Sequence, residues 1–358
     1  VKIERNKMAY KLNEKLKKFT NYEVTDGEYR IRLDANESFI DPGIGLHNRI
    51  IDALSKVPLN RYPDDSCKEL RKAFGTYYGV DPALVVAGNG SDELISLLIG
   101  SFMKKDEKIV TLTPDFSMYK VFADIFEREC IEILKDEDLS ISTDYLLEEL
   151  KRINPQAIIF SNPSSPTGLV KKRSEIVKIL ENTDALVIVD EAYMDFSTES
   201  VLDLVEEFDN LIVLKTSSKA LGCAAIRLGF AVSSREIVKV LNALRPPYNL
   251  NSVTQAIGCA IFSEPEFIKE SVSRIIESRN YLYQGIKSLV NSKIEKIYES
   301  ETNYIYIKTK FAKHIYEELC KRSILIRKFD NSLRITAGTI SENDEVIKSV
   351  KEILDSLN

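Results

Sequence analysis

Ala185-Leu186-Val187-Ile188-Val189-Asp190-Glu191-Ala192-Tyr193 is followed by Leu211-Ile212-Val213-Leu214-Lys215-Thr216-Ser217-Ser218-Lys219-Ala220-Leu221-Gly222. Each stretch opens as a short, β-branched apolar run with no polar alternation, which is what a strand buried on both faces requires. Each then switches abruptly to acid, hydroxyl or lysine. Lys108–Thr113, Ala157–Phe160 and Leu228–Val232 repeat the apolar pattern, and Phe116–Glu127, Thr143–Arg152 and Lys171–Glu181 have helical spacing between them. Such alternation predicts an α/β domain with a mostly parallel sheet. Open sheets of this kind bind ligands beyond the carboxyl ends of their strands. Asp190 and Lys219 therefore fall on one functional edge.

Beyond Asn251 the pattern changes. Residues 251–290 read as long helix broken near Ser263-Glu264-Pro265, then come strand-like Tyr304–Lys308, helical Phe311–Lys321, strand-like Ile324–Arg327 and Leu333–Thr336, and a helix over 341–357. The expected division is an arm over residues 1–42 packed on the small unit, a large α/β domain over 43–248, and a small α+β domain over 249–358 that starts with a long interdomain helix.

Composition narrows the function classes. Of 358 residues 44% are hydrophobic, and Lys+Arg 49 against Asp+Glu 55 leaves a net charge of -6, which excludes nucleic-acid binding through bulk charge. The basic run Lys7–Lys18 reads as a solvated helix face. No apolar run approaches the ~18 residues of a membrane helix, and Val1–Arg5 lacks the apolar core of a secretory signal. Scattered Cys67, Cys130, Cys223, Cys259 and Cys320 fit reduced thiols, and only His47 and His314 are present, so a cytoplasmic protein without a metal centre is expected.

Four loops share the sheet edge. Gly88-Asn89-Gly90-Ser91-Asp92-Glu93 stands between Val85-Val86 and the helical run 94–102. Free N–H groups there would suit a phosphate, although Ser91 or Asp92 serves equally as a helix cap. Asp190-Glu191 also looks like the acidic end of a nucleotide-hydrolase strand, but the required GxxxxGK[ST] loop is absent. Lys219 is suited to a Schiff base where its pKa is lowered, and Thr216, Ser218 and Arg227 are natural phosphate ligands. Ser161-Asn162-Pro163-Ser164-Ser165-Pro166-Thr167-Gly168 makes a rigid turn.

Taken in order, Asp190-x-x-Tyr193, Ser217-Ser218-Lys219 and Arg227-Leu228-Gly229 resemble the fold-type-I aminotransferases that use pyridoxal 5′-phosphate, and within them the group acting on histidinol phosphate. Leu33-Asp34-Ala35-Asn36-Glu37, Arg61-Tyr62-Pro63-Asp64, Pro114-Asp115-Phe116-Ser117-Met118-Tyr119 and Leu333-Arg334-Ile335-Thr336-Ala337-Gly338 extend the likeness over residues 30–340. The resemblance implies a mostly parallel, seven-stranded-type sheet sandwiched by helices, with the smaller α+β domain beside it. It implies that Lys219 holds the cofactor and shuttles a proton, that Asp190 pairs with the pyridine nitrogen, and that Tyr193 bonds the ring's phenolic oxygen. Phe116 would stack on the ring. Ser91, Asp92, Thr216, Ser218 and Arg227 would cradle the phosphate, with Tyr62 reaching it from the second subunit of a homodimer. Arg327 and Arg334 would face the substrate's anionic end, with Asn36 at the substrate wall.

Two stretches depart from the family pattern. Ser165, at a cofactor-binding position, stands where the family's asparagine before Pro-Thr-Gly bonds the ring's phenolic oxygen, and Ser38-Phe39-Ile40-Asp41 replaces Asn-Pro-Tyr-Gly. The implied activity is amino exchange between histidinol phosphate and 2-oxoglutarate in histidine biosynthesis. An aromatic or broad-specificity aminotransferase and a threonine-phosphate decarboxylase are the alternatives, the latter tending to carry a His-Gly-Gly segment near its start that this chain lacks. A non-catalytic ligand-binding protein has no use for Lys219 beside Asp190.

Overall fold

The β-branched runs form the interior of a seven-stranded sheet. The computed structural model describes residues 11–19, 25, 27–290 and 293–357. Among them the strands are, in chain order, β1 (Ile31–Leu33), β2 (Val85–Asn89), β3 (Lys108–Thr113), β4 (Glu129–Leu134), β5 (Ala157–Ser161), β6 (Leu186–Asp190), β7 (Leu211–Thr216), β8 (Leu228–Ser233), β9 (Lys296–Tyr298), β10 (Tyr304–Lys308), β11 (Ile324–Phe329) and β12 (Ser332–Thr336).

The large sheet has the order β2-β8-β7-β6-β5-β3-β4. Strands β3 to β7 pair in parallel, while β8 runs antiparallel to both β7 and β2. Successive side chains leave on opposite faces. Val187, Val189, Val213 and Phe160 join one core with the helices Lys68–Tyr78, Thr143–Ile153 and Arg173–Glu181, whereas Ile188, Ile212, Leu214 and Ile159 join the other with Ser91–Ser101, Met118–Ile125 and Arg235–Leu244. Burying each such side chain contributes roughly 1.5–3 kcal/mol, so both faces need cover.

The second sheet has the order β1-β11-β12-β10-β9. Its Ile305, Ile307, Leu333 and Ile335 pack against the helices Pro265–Lys287, Ala312–Lys321 and Ile340–Ser356. The alternate positions carry Tyr304 and Arg334, and Tyr304 packs into the core of the large sheet. Strand β1 pairs in parallel with β11, Ile31 opposite Ile324.

Some local expectations change. The helix after the glycine turn starts at Ser91, with Gly90 at its N-cap at φ 81°, so neither Ser91 nor Asp92 is the cap. The long helix ends at Phe262 and restarts with Pro265 in its first turn, where a missing N–H costs nothing. Glu14–Lys18 form a 3-10 turn, and Val1–Arg5 and residues 7–10 of the basic run lie outside the described residues. No described helix is long and apolar enough to cross a membrane.

Gly229 of β8 sits directly against the start of the site's helix. A Cβ there would lie 2.3 Å from Ser91 N and 2.5 Å from Gly90 C, and backbone cannot swing aside. Gly229→Ala is expected to cost about 1–3 kcal/mol of stability, seen as a lower urea midpoint at unchanged slope; a parental midpoint would contradict this packing.

Candidate active site

Asp190 ends β6 and is 4% exposed. Tyr119 Oη donates to its Oδ2 at 2.8 Å and the Ala192 N–H to its Oδ1 at 3.1 Å. Both donors are neutral, and burial outweighs them, so the carboxyl is pushed up to about 7. Burial raises the pKa of its neighbour Glu191 as well, but that carboxyl has different partners. Glu191 accepts from the Val201 N–H at 2.8 Å and lies 3.7 Å from Lys215 Nζ, which also reaches Asp195 at 3.3 Å. One acid anchors a loop; the other is left for the site.

Lys219 follows β7 and its Nζ donates to the Ala35 carbonyl at 2.9 Å, 6.0 Å from the centre of the Tyr193 ring. Tyr193 Oη accepts from Asn36 Nδ2 at 2.7 Å, and its ring meets Tyr304 edge-on at 5.3 Å. Asn36, expected at the substrate wall, is buried and also bonds Thr336 and Asn303.

The hydroxyls and guanidinium converge as well. Thr216 Oγ1 donates to Ser218 Oγ at 3.0 Å and accepts from the Ser218 N–H at 3.2 Å. Arg227 reaches Ser218 Oγ at 3.4 Å and Asp92 Oδ2 at 3.2 Å. A side chain at Gly90 would meet Arg227 Nη2 at 2.9 Å, so glycine lets the guanidinium lie over the helix start. The N–H groups of Ser91 and Asp92 open that helix, where an anion is favoured by the orphan donors and the dipole. This donor set suits a phosphate, and the buried carboxyl of Asp190 suits a basic ring nitrogen. The residues present fit a phosphorylated ring held near Lys219.

Phe116 stands edge-on to Tyr119 at 5.4 Å. Ser165 is buried, its N–H donating to Ser161 Oγ at 2.8 Å. Sequence reasoning gave no role to Tyr119, whose helical spacing reads as ordinary core. It also missed Asp115 and Lys135, which form a buried ion pair at 3.8 Å. Asp115 accepts from the Ser161 hydroxyl and from the Phe116 N–H at 2.7 Å, while Lys135 donates to Ser164 Oγ at 2.6 Å and Pro114 O at 2.7 Å. Burial raises the Asp115 pKa and lowers that of Lys135. The pair ties the loop of Phe116 to the loop of Ser165.

Arg334 on β12 donates to Asp34 O at 2.9 Å, lies 5.2 Å from the Tyr304 ring centre, and keeps a buried Nε without a hydrogen-bond partner. Arg327 is its cross-strand neighbour on β11. Tyr62 is 80% exposed and its ring stacks on Tyr248 at 4.6 Å.

The family profile of aminotransferases class I and II matches residues 30–350. The chain belongs to the class I and II aminotransferases. Within that family, it is 41% identical over 341 residues to the histidinol-phosphate aminotransferase of Clostridium novyi, covering 94% of this chain and 95% of that one. It is 39% identical to the histidinol-phosphate aminotransferase of Clostridium kluyveri, covering 95% and 97%. The structure of the histidinol-phosphate aminotransferase of Sinorhizobium meliloti in complex with pyridoxal-5′-phosphate superposes with a TM-score of 0.87 over 98% of this chain and 100% of that one. At 20% identity that likeness speaks for the aminotransferase fold alone.

Asp190 gives this aminotransferase a pH signature. A carboxyl ionises near 4 in an unfolded chain and about 7 here. Its contribution to stability is therefore full below about pH 4 and is lost as pH rises through about 7. Asp190→Asn cannot ionise. In the cofactor-free protein its stability relative to the parent should rise between pH 4 and 8, by up to ~4 kcal/mol. Denaturation at several pH values checks this, and a pH-independent difference would contradict it.

Proposed function

We propose that this chain is a pyridoxal 5′-phosphate-dependent aminotransferase that moves the amino group of histidinol phosphate to 2-oxoglutarate, working as a homodimer. The observation that carries the reading is the convergence of Lys219, Asp190, Tyr193 and the Thr216/Ser218/Arg227 cluster at one sheet edge, with Arg334 opposite on the small sheet. The names of relatives 41% and 39% identical support the choice of substrate.

When bound, the cofactor supplies an electron sink and a carrier for the amino group. Thr216, Ser218, Arg227 and the N–H groups of Ser91 and Asp92 would hold its phosphate. Asp190 would share a proton with the ring nitrogen, and a cation beside the carboxyl relieves the desolvation that raises its pKa. Tyr193 Oη already accepts from Asn36, so its own proton is free for the ring's phenolic oxygen. Phe116 would cover the ring, and Ser165 would stand where the family's asparagine does. Lys219 Nζ would hold the cofactor and, once the substrate's amine has displaced it, the freed amine would serve as the base that takes the proton from the carbon bearing the substrate's amino group.

Arg334 supplies a planar fork matched to either phosphate or carboxylate. A substrate anion would replace Asp34 O as its acceptor: the phosphate of histidinol phosphate in one half-reaction, a carboxylate of the 2-oxo acid in the other. Arg327 adds positive charge across the strand pair. Tyr62, with its exposed ring on Tyr248, would enter the neighbouring subunit's phosphate site.

Two variants test this reading. Lys219→Ala should lose the visible absorption band of the bound cofactor and lower turnover by about three orders of magnitude; a fully active variant ends the proposal. Arg334→Lys keeps charge but loses the fork, so KM for histidinol phosphate should rise about tenfold with a smaller loss in kcat. A parental KM would remove Arg334 from the substrate site.

A further inference from the structure

The turn Asp34-Ala35-Asn36 joins the small sheet to the reacting lysine. Its three successive carbonyls serve three different side chains. Asp34 O accepts from Arg334 at 2.9 Å, Ala35 O from Lys219 at 2.9 Å, and Asn36 O from Asn303 Nδ2 at 3.0 Å. Asn36 has φ 54°, the left-handed region that asparagine tolerates better than most residues.

The Asn36 side chain is committed at both ends. Nδ2 donates to Tyr193 Oη at 2.7 Å, and Oδ1 accepts from Thr336 Oγ1 at 3.2 Å. The same Thr336 oxygen accepts from the Asn36 N–H at 3.1 Å. One hydroxyl can do both, being donor and acceptor at once. Asn36, Asn303 and Thr336 are 1%, 1% and 2% exposed, so no water replaces a lost partner cheaply. Thr336 stands two positions beyond Arg334 on β12, hence on the same face of the strand.

We infer that Thr336 and Asn303 are positioning residues for amino transfer: from the small sheet they fix Asn36, and through it the Tyr193 hydroxyl and the carbonyl that receives Lys219. The inference rests on the pyridoxal-phosphate reading above. Neither residue touches the reacting atoms. They act by keeping the turn left-handed and Asn36 Nδ2 on Tyr193, which leaves the Tyr193 proton aimed away from Asn36. Strand β12 thereby carries both the anion-binding fork and the support of the catalytic pair. An anion that draws Arg334 off Asp34 O acts on the residue next to the one holding Lys219.

The test uses the cofactor-loaded parent with Thr336→Val, Thr336→Ser and Asn303→Ala. Valine keeps the shape of threonine and removes the hydroxyl. Thr336→Val should shift the protonation midpoint of the visible band by about half a unit or more and lower kcat about tenfold. Thr336→Ser should restore both toward the parent. Asn303→Ala should shift the band in the same direction, and it decides the matter if Thr336→Val does not fold. A lower denaturation midpoint with parental kcat and band midpoint would make these residues merely structural and overturn the inference. A parent that forms no Lys219-dependent band would overturn the pyridoxal-phosphate reading itself, and this inference with it.

Discussion

The carboxyl of Asp190 is held out of water at the end of a central parallel strand, and the arrangement of the site follows from that placement. Burial pushes it up to about 7 even with Tyr119 and the Ala192 N–H donating to it. Such a group is costly in a mere scaffold and useful beside a ring nitrogen. The sheet register puts Ser161 and Leu214 directly beside Asp190 on its two neighbouring strands. The loops of Ser165 and Lys219 therefore leave the sheet next to the acid. Strand β8 then runs back antiparallel and pairs with β2, which brings Arg227 over the glycine turn at Gly90.

The second sheet completes the site by facing it. Its helix-packed side is aliphatic, while the other side presents Tyr304 and Arg334. Contacts across the boundary are specific hydrogen bonds rather than apolar area alone: Asn36 to Tyr193, Tyr304 Oη to Ser164 O at 3.0 Å, and Lys219 to Ala35 O. A boundary built this way ties Arg334 and Lys219 to adjacent carbonyls of one turn.

Much of the large sheet is legible in the chain because strands buried on both faces lack alternation, and Val187 to Val189 and Leu211 to Leu214 show this plainly. Lys219 and Asp190 stand out because each ends such a run. Strands β1 and β9 are three residues long and carry too little pattern to be seen. Strand β4 is an edge strand with Glu129 and Leu134 exposed, so it lacks the apolar run of its neighbours. Nothing in the chain pairs Asp115 with Lys135, since only the fold buries them together. Thr336 and Asn36 meet only because β12 returns to the turn after β1. Tyr62 finds no role within one chain, because its proposed target belongs to a second.

The central claim is that the Lys219 site takes an amino group from histidinol phosphate. The most direct measurement is a spectral titration of the cofactor-loaded protein with histidinol phosphate, with phenylalanine and threonine phosphate run beside it. The account predicts that histidinol phosphate alone abolishes the visible band, with a near-ultraviolet band rising in its place, and that 2-oxoglutarate then restores it. Conversion by phenylalanine or threonine phosphate, with histidinol phosphate inert, would contradict it.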